Sequence, residues 1–319
     1  MQRALICGIG GQDGSYLAEL LLAKGYEVWG TSRDAQSASL SNLQALGIVD
    51  KVKVLSMAPN DFRSVFQAVE RSDPQEIYNL SGQSSVGLSF EQPAETLESI
   101  VTGVLNLLEV ARLRSKVVQI YQAGSSECFG DTGDTAATEK TPFQPRSPYA
   151  VAKASAHWLV ANYREAYGLQ CYTGILFNHE SPLRPQRFVT RKIIAGAHRI
   201  ASGDTGKLTL GNLDIARDWG WAPEYVEAMW RMLQTDAPGD YLIATGHTTA
   251  LRDFVAAAFA HFDLDWQEHV DLSQEFSRPS DIRTSRADPS RAADLLGWTA
   301  KTHMKDVVRK MCEAEAKRG

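Results

Sequence analysis

The sequence predicts an α/β protein built on a doubly wound parallel sheet, with a smaller α/β lobe in its carboxyl-terminal part. Three observations predict it. Short β-rich apolar runs alternate with helical patterns along the chain, which implies parallel strands joined by crossover helices. The first of these runs empties into a glycine-rich turn. A central run, Val117 to Gln122, empties into Ala-Gly-Ser-Ser-Glu, and Tyr149 and Lys153 follow four apart on a helical pattern. In open α/β sheets, ligands bind at the carboxyl ends of the strands.

Ala4 to Gly8 is an apolar run that stops at Gly8-Ile9-Gly10-Gly11-Gln12-Asp13-Gly14; Tyr16, Leu17, Leu20, Leu21 and Leu22 then give helical periodicity up to Gly25. Glycines at 8, 11 and 14 let backbone amides reach a pyrophosphate, and the helix amino terminus adds a favourable field. The next strand, Glu27 to Gly30, should end beside an adenosine ribose and is followed by Thr31-Ser32-Arg33-Asp34. A guanidinium pairs well with a 2′-phosphate, so Arg33 points to NADP, while Asp34 leaves NAD open. Lys51 to Leu55 and Glu76 to Leu80 are the next strands, with a helix at Phe62 to Val69 between them. The small polar loop Ser81-Gly82-Gln83-Ser84-Ser85 suits close approach of a cofactor, and a long helix runs from Ala94 to Leu113.

At the centre, helical spacing raises Tyr149 and Lys153 from one face, with the Ser125 hydroxyl and the Glu127 carboxylate at the nearby strand end. A free tyrosine, with a pKa of about 10, is a poor base, but an adjacent ammonium and a cationic nicotinamide favour the phenolate. Such a tyrosine can take a proton from a sugar hydroxyl as hydride leaves the same carbon. A helix then runs through Tyr167, and a strand, Cys171 to Phe177, ends in Asn178-His179-Glu180-Ser181-Pro182. Arg184, Arg187, Arg191 and Lys192 crowd one segment, followed by Arg217 and Arg278; in an acidic chain this suggests a small anionic site such as a nucleotide-sugar diphosphate. Trp219-Gly220-Trp221-Ala222-Pro223 opens a helix through Leu233, Tyr241 to Ala244 is a strand, and Leu251 to Phe262 and Val307 to Ala316 are helical.

Composition bounds the alternatives. The 319 residues, 44% hydrophobic, suffice for one large domain with a lobe, and a net charge of −5 argues against nucleic acid as the main partner. No apolar run approaches the roughly 20 residues that span a bilayer, and the start is not a signal peptide, so the expected location is cytoplasmic and off the membrane. Cys7, Cys128, Cys171 and Cys312 are scattered without metal-ligand spacing; packed, reduced thiols and no metal are expected.

With Gly8-x-x-Gly11-x-x-Gly14, Gly124-Ser125-Ser126-Glu127 and Tyr149-x-x-x-Lys153 in place, the chain resembles the extended short-chain dehydrogenase/reductase superfamily, whose fold is of the Rossmann type. More narrowly it is similar to the GDP-mannose 4,6-dehydratase family, through GIGGQDGSYLAELLLAKGY, TPFQPRSPYAVAK, GILFNHESPLR, FVTRKI and LGNLDIARDWGWAPEYVEAMWRMLQ. The resemblance implies a hydro-lyase. By that resemblance Tyr149, helped by Lys153, would deprotonate the mannose 4-hydroxyl as hydride passes to NADP; Glu127 would remove the C5 proton and help protonate the departing 6-hydroxyl; hydride would return to C6. Ser125 would hydrogen-bond the 4-oxygen. It also implies cofactor contacts from Gly8, Gly11, Gln12, Asp13, Gly14, Arg33, Leu80, Tyr149, Lys153, His179 and Arg184, and substrate contacts from Ser84, Ser85, Asn178, Lys192, Arg217 and Arg278. The expected division is 1–177 for the dinucleotide, with some later segments returning to it, and 178–319 mainly for the GDP-sugar. Alternatives are a dehydratase, 4-epimerase or 4-reductase on another GDP-sugar such as GDP-heptose, or a non-catalytic cofactor-binding protein. Three departures stand out: Ser125 replaces the family's usual Thr, Leu55-Ser56-Met57-Ala58 lacks an Asp that meets adenine, and the segment after Arg33 lacks the arginines that reach a neighbouring subunit. A homodimer or homotetramer is expected, with the tetramer in question.

Overall fold

A computed structural model describes residues 1–273, 275 and 280–317. The chain opens with β1 (Arg3–Cys7), α1 (Gln12–Ala23), β2 (Glu27–Ser32), α2 (Ser41–Ala45), β3 (Lys53–Ser56), α3 (Phe62–Ser72) and β4 (Glu76–Asn79). Helices α4 (Val86–Glu91), α5 (Pro93–Leu97) and α6 (Gly103–Leu113) precede β5 (Gln119–Ala123), α7 (Pro148–Tyr167) and β6 (Cys171–Leu176). Then come β7 (Asn178–Glu180), α8 (Val189–Ala201), β8 (Leu208–Leu210), β9 (Ala216–Trp221), α9 (Ala222–Met232), β10 (Asp240–Ile243) and β11 (Thr248–Ala250). The chain ends with α10 (Leu251–Ala260), α11 (Trp266–His269), β12 (Val270–Leu272), α12 (Ser290–Leu296) and α13 (Met304–Ala316).

A seven-stranded sheet in the order β10-β6-β5-β4-β1-β2-β3 forms the main body, and every neighbouring pair in it is parallel. Its inner strands are covered on both faces, which is why they read as short apolar runs rather than alternating ones. Leu17 and Leu21 of α1 pack with Met229 and Met232 of α9 on one face. Val65 of α3, Leu107 of α6 and Val160 of α7 pack on the other. The strand order reverses between β1 and β4, and the carboxyl ends there open toward the lobe.

The lobe has a three-stranded sheet, β11-β9-β7, and a parallel pair, β12-β8, with α8, α10 and α13 around its own core of Ile193, Phe254, Phe259 and Val307. Strand β10 returns to the main sheet after α9. Strands β7, β8, β11 and β12 have three residues each, too few for a periodic signal, and the sequence did not announce them.

Two elements differ from expectation. The helix expected over Ala94 to Leu113 is broken by a π-helical stretch, Glu98–Thr102, and its Leu97 and Leu105 are 38% and 37% exposed rather than in the core. The helix expected to open at Trp219 begins at Ala222, because Trp219–Trp221 finish β9 and Pro223 is accommodated only in the first helical turn. Gly220 is required there: a Cβ would run into the Tyr225 ring.

Candidate active site

A cavity of about 840 Å³ lies along the carboxyl ends of β4, β5 and β6 and extends into the lobe. Ser125, Glu127, Tyr149 and Lys153 all line it. Local rules put them there. Ser125 caps a 3₁₀ turn, Ser126–Phe129, its Oγ accepting the Glu127 N–H at 3.3 Å, so hydroxyl and carboxyl leave the end of β5 together. Ser147 caps α7 through the Ala150 N–H at 3.1 Å and Pro148 occupies the first turn, fixing where Tyr149 emerges. One turn later Lys153 donates to the carbonyl of Ala123, the last residue of β5, at 2.9 Å. That bond ties the helix to the strand.

Burial dominates the ionisation of this group. It pushes the Tyr149 phenol above its ordinary value, opposed by a hydrogen bond with Ser125 and by the Arg184 charge. It pulls the Lys153 ammonium down to about 8, against the raising influence of Cys128 and Asp13. Both shifts disfavour the charged forms, so a phenolate here depends on a further nearby cation to favour it. Cys128 faces the Ala150 carbonyl at 3.7 Å and burial lifts its thiol to about 12, which fits packing and not nucleophilic chemistry.

The glycine turn sits beside this group. Gly8 has φ +84°, and a Cβ on Gly14 would collide with the Gly8 carbonyl oxygen and the Ile9 backbone. Helix α1 has no side-chain cap at Gly11, which leaves its first amides available to an anion. Gln12 and Asp13 spend their side chains within the protein. Gln12 Nε2 donates to the His179 carbonyl at 3.2 Å and Gln12 Oε1 accepts from Ser181 Oγ at 2.8 Å; Asp13 lies 2.9 Å from His179 Nε2. Burial raises the Asp13 carboxyl, but His179 outweighs it and the net value falls to about 2; the imidazole is raised in turn, its own burial penalty outweighed by Asp13. Leu80, just past β4, and Arg184 also line the cavity. Arg33 does not: its side chain is 82% exposed, 3.5 Å from Glu95.

Toward the lobe, Ser84, Ser85, Asn178, Lys192 and Arg217 line the cavity. Lys192 donates to the Thr209 carbonyl at 2.8 Å, and the buried Arg217 lies 3.6 Å from Asp281. Arg278 falls outside the described residues. Arg191, from the same basic segment, lies 2.7 Å from Glu315 and fastens α13 to α8 instead of facing the cavity. The sequence had not singled out Glu180 and Phe188. Glu180 is buried, accepts from Thr190 Oγ1 at 2.6 Å and lies 3.3 Å from Arg184, whose guanidinium rests 3.9 Å from the Phe188 ring centre. Its place in the polar run after β6 was the available signal. Among the described residues no His, Cys, Asp and Glu cluster is arranged to hold a metal ion.

A model of the family described as GDP-mannose 4,6 dehydratase matches residues 5–311. The chain is 43% identical to GDP-mannose 4,6 dehydratase 1 of Arabidopsis thaliana, covering 98% of this chain and 89% of that protein. It is 40% identical to GDP-mannose 4,6 dehydratase of Homo sapiens, covering 98% and 91%. Among solved structures, UDP-glucose 4-epimerase of Thermus thermophilus with NAD superimposes with a TM-score of 0.87 at 24% identity, over 99% of each chain. RMD of Pseudomonas aeruginosa with NADPH gives 0.82 at 21% identity over the full length of both. These structural likenesses establish the fold.

Proposed function

The chain belongs to the GDP-mannose 4,6-dehydratase family, and from that membership we propose the reaction its cavity performs: conversion of GDP-mannose to GDP-4-keto-6-deoxymannose with loss of water. The observation that carries the reading is Glu127, a carboxyl group in the same cavity as Tyr149 and Lys153. Oxidation at C4 needs a base for the hydroxyl proton, and Tyr149 supplies it with Lys153 stabilising the phenolate. Oxidation in turn makes the C5 proton acidic. Removing that proton and protonating the departing 6-hydroxyl requires a second acid/base, and Glu127 takes this role. A simple 4-epimerase or 4-reductase needs no acid/base at C5. Ser125 hydrogen-bonds the 4-oxygen.

A nicotinamide cofactor supplies hydride acceptance and return when bound. The Gly8–Gly14 turn, which has φ +84° at Gly8 and no room for a Cβ at Gly14, and the uncapped start of α1 fit its pyrophosphate. Gly8, Gly11, Gln12, Asp13 and Gly14 would hold that group, with Leu80, His179 and Arg184 near the nicotinamide end. Arg33, exposed and held by a surface ion pair with Glu95, can exchange that partner for a 2′-phosphate, which favours NADP over NAD. Ser84, Ser85, Asn178, Lys192 and Arg217 would hold the GDP-sugar, and Arg278 belongs with them by sequence. Residues 1–177 thus serve mainly the dinucleotide and 178–319 mainly the substrate. We also infer a homo-oligomer, supported by exposed apolar side chains on helices that pack together, Leu97, Leu105 and Leu113 on α5 and α6 and Val151 and Trp158 on α7, which a second copy would cover.

The test is incubation with GDP-mannose and no added reductant. Mass spectrometry should show loss of one water and a 4-keto product; unchanged sugar nucleotide overturns the reading.

A further inference from the structure

We propose that Asp131 and Thr132 are positioning residues for Glu127, tying the turn that carries its carboxyl group to residues 281–288 of the lobe. The inference deepens the dehydratase reading and rests on it.

The turn Ser126–Phe129 ends at Gly130, which has φ +70° and where a Cβ would collide with the Gln144 carbonyl oxygen. No other residue fits that corner, so the orientation of the turn is handed directly to the next two residues. Asp131 accepts the Arg283 N–H at 3.2 Å and the Thr284 N–H at 3.3 Å. The Thr132 N–H and Oγ1 both donate to the Thr284 carbonyl, at 3.0 and 3.2 Å, and Oγ1 accepts the Arg286 N–H at 2.9 Å.

Their partners are themselves anchored. The Ala216 N–H donates to the Arg283 carbonyl at 2.7 Å, and the Ser285 N–H to the Ala216 carbonyl at 3.0 Å. The neighbouring residue, Arg217, which also lines the cavity, lies 3.6 Å from Asp281. A strap of hydrogen bonds and one ion pair therefore links cavity-lining residues of the lobe to the segment that follows the Glu127 turn. Tyr149 and Lys153 stand on α7, which meets the turn itself where Cys128 Sγ lies 3.7 Å from the Ala150 carbonyl, whereas Asp131 and Thr132 tie the turn to residues 283–286. The strap is thus a second hold on the turn besides α7, and binding interactions remote from the reacting carbons can set where the carboxyl group stands.

The test uses the cofactor-loaded full chain carrying Asp131→Ala and Thr132→Val, mixed rapidly with GDP-mannose. Reduced-nicotinamide absorbance reads the first step and product release reads the elimination. The strap predicts an unchanged first step, with elimination slowed about 10- to 10²-fold, the scale of a misplaced catalytic group. In a Glu127→Gln background, where elimination is already halted, the same two changes should leave the rate of reduced-nicotinamide formation as it is in Glu127→Gln alone, and a slower first step there would overturn the strap. Asp131→Asn, which keeps one acceptor oxygen, should recover part of the rate in a Thr132 background. Elimination at the normal rate, or equal slowing of both steps, overturns the strap. If Glu127→Gln alone releases product normally, the acid/base role of Glu127 fails instead; if it stalls while the double variant does not, only the strap fails.

Discussion

Replacing Lys153 with methionine should destroy activity and stabilise the chain at neutral pH. Burial lowers the ammonium from 10.5 to about 8, which at 1.36 kcal/mol per pKa unit costs the folded state about 3 kcal/mol. Below about pH 8 lysine is charged in both folded and unfolded chains, and the whole penalty is present. Between about 8 and 10.5 the unfolded chain binds the proton more than the folded one, so stability rises with pH; above 10.5 the penalty is gone. Methionine never pays it, but leaves the Ala123 carbonyl without its donor, a loss of about 1 kcal/mol. The variant should therefore be about 2 kcal/mol more stable at pH 7 and slightly less stable above pH 10.5. Urea unfolding of both proteins, stripped of cofactor, at several pH values measures the difference and cancels groups they share. A gap that stays constant with pH, or a methionine variant weaker at pH 7, would refute the claim that the site stores a buried charge.

Glu127→Gln should halt the reaction after C4 oxidation, visible as reduced cofactor that persists without product; normal turnover would remove Glu127 from the mechanism. Tyr149→Phe should slow turnover by at least about 10²-fold and yield no reduced cofactor on mixing. Arg33→Ala should weaken NADP binding about tenfold, by removing one charge-assisted hydrogen bond, and leave NAD binding unchanged, as read by fluorescence titration. Equal effects on both dinucleotides would take Arg33 away from the 2′-phosphate. Gly14→Ala should cost about 1–3 kcal/mol in thermal unfolding and abolish cofactor retention, because its Cβ collides with backbone that has nowhere to move.

Much of the main body was legible because its strands are buried on both faces and punctuated by glycine: Ala4 to Gly8, Glu76 to Leu80 and Cys171 to Phe177 each sit on an observed strand of the main sheet. The lobe was harder. Its three-residue strands pair with partners far along the chain, as Asn178 with Trp219 and Val270 with Leu208, and no local pattern records such pairing. Within the long helix, apolar residues at 97 and 105 fit the helical period yet face outward, since periodicity does not say whether a second apolar stripe is covered by this chain. Ser125, Glu127, Tyr149 and Lys153 were found because short-range rules, a capped turn and a capped helix, deliver them to one place. Glu180 and the Asp131 strap act through partners that the sequence alone does not juxtapose.

Asp13 shows the same limit most sharply. A carboxylate in an anion-binding turn looks wrong by charge, because it should repel the pyrophosphate that the neighbouring amides attract. His179, 166 residues away, removes the conflict by pairing with it at 2.9 Å, and the same imidazole stacks on Tyr225 with ring centres 4.5 Å apart. With the carboxylate held by the imidazole, the turn keeps its amides open while its side chains bind the start of the lobe. Gln12 reinforces this through Ser181. One short segment, 178–184, therefore grips the glycine turn at one end and, through Glu180, Thr190 and Arg184, the start of α8 at the other. Replacing His179 with alanine should accordingly weaken cofactor binding, read by fluorescence titration, because it leaves the Asp13 carboxylate without its imidazole partner beside the turn, whereas Asp13→Asn, which removes the charge with the pair, should weaken it less; equal losses would overturn the charge argument.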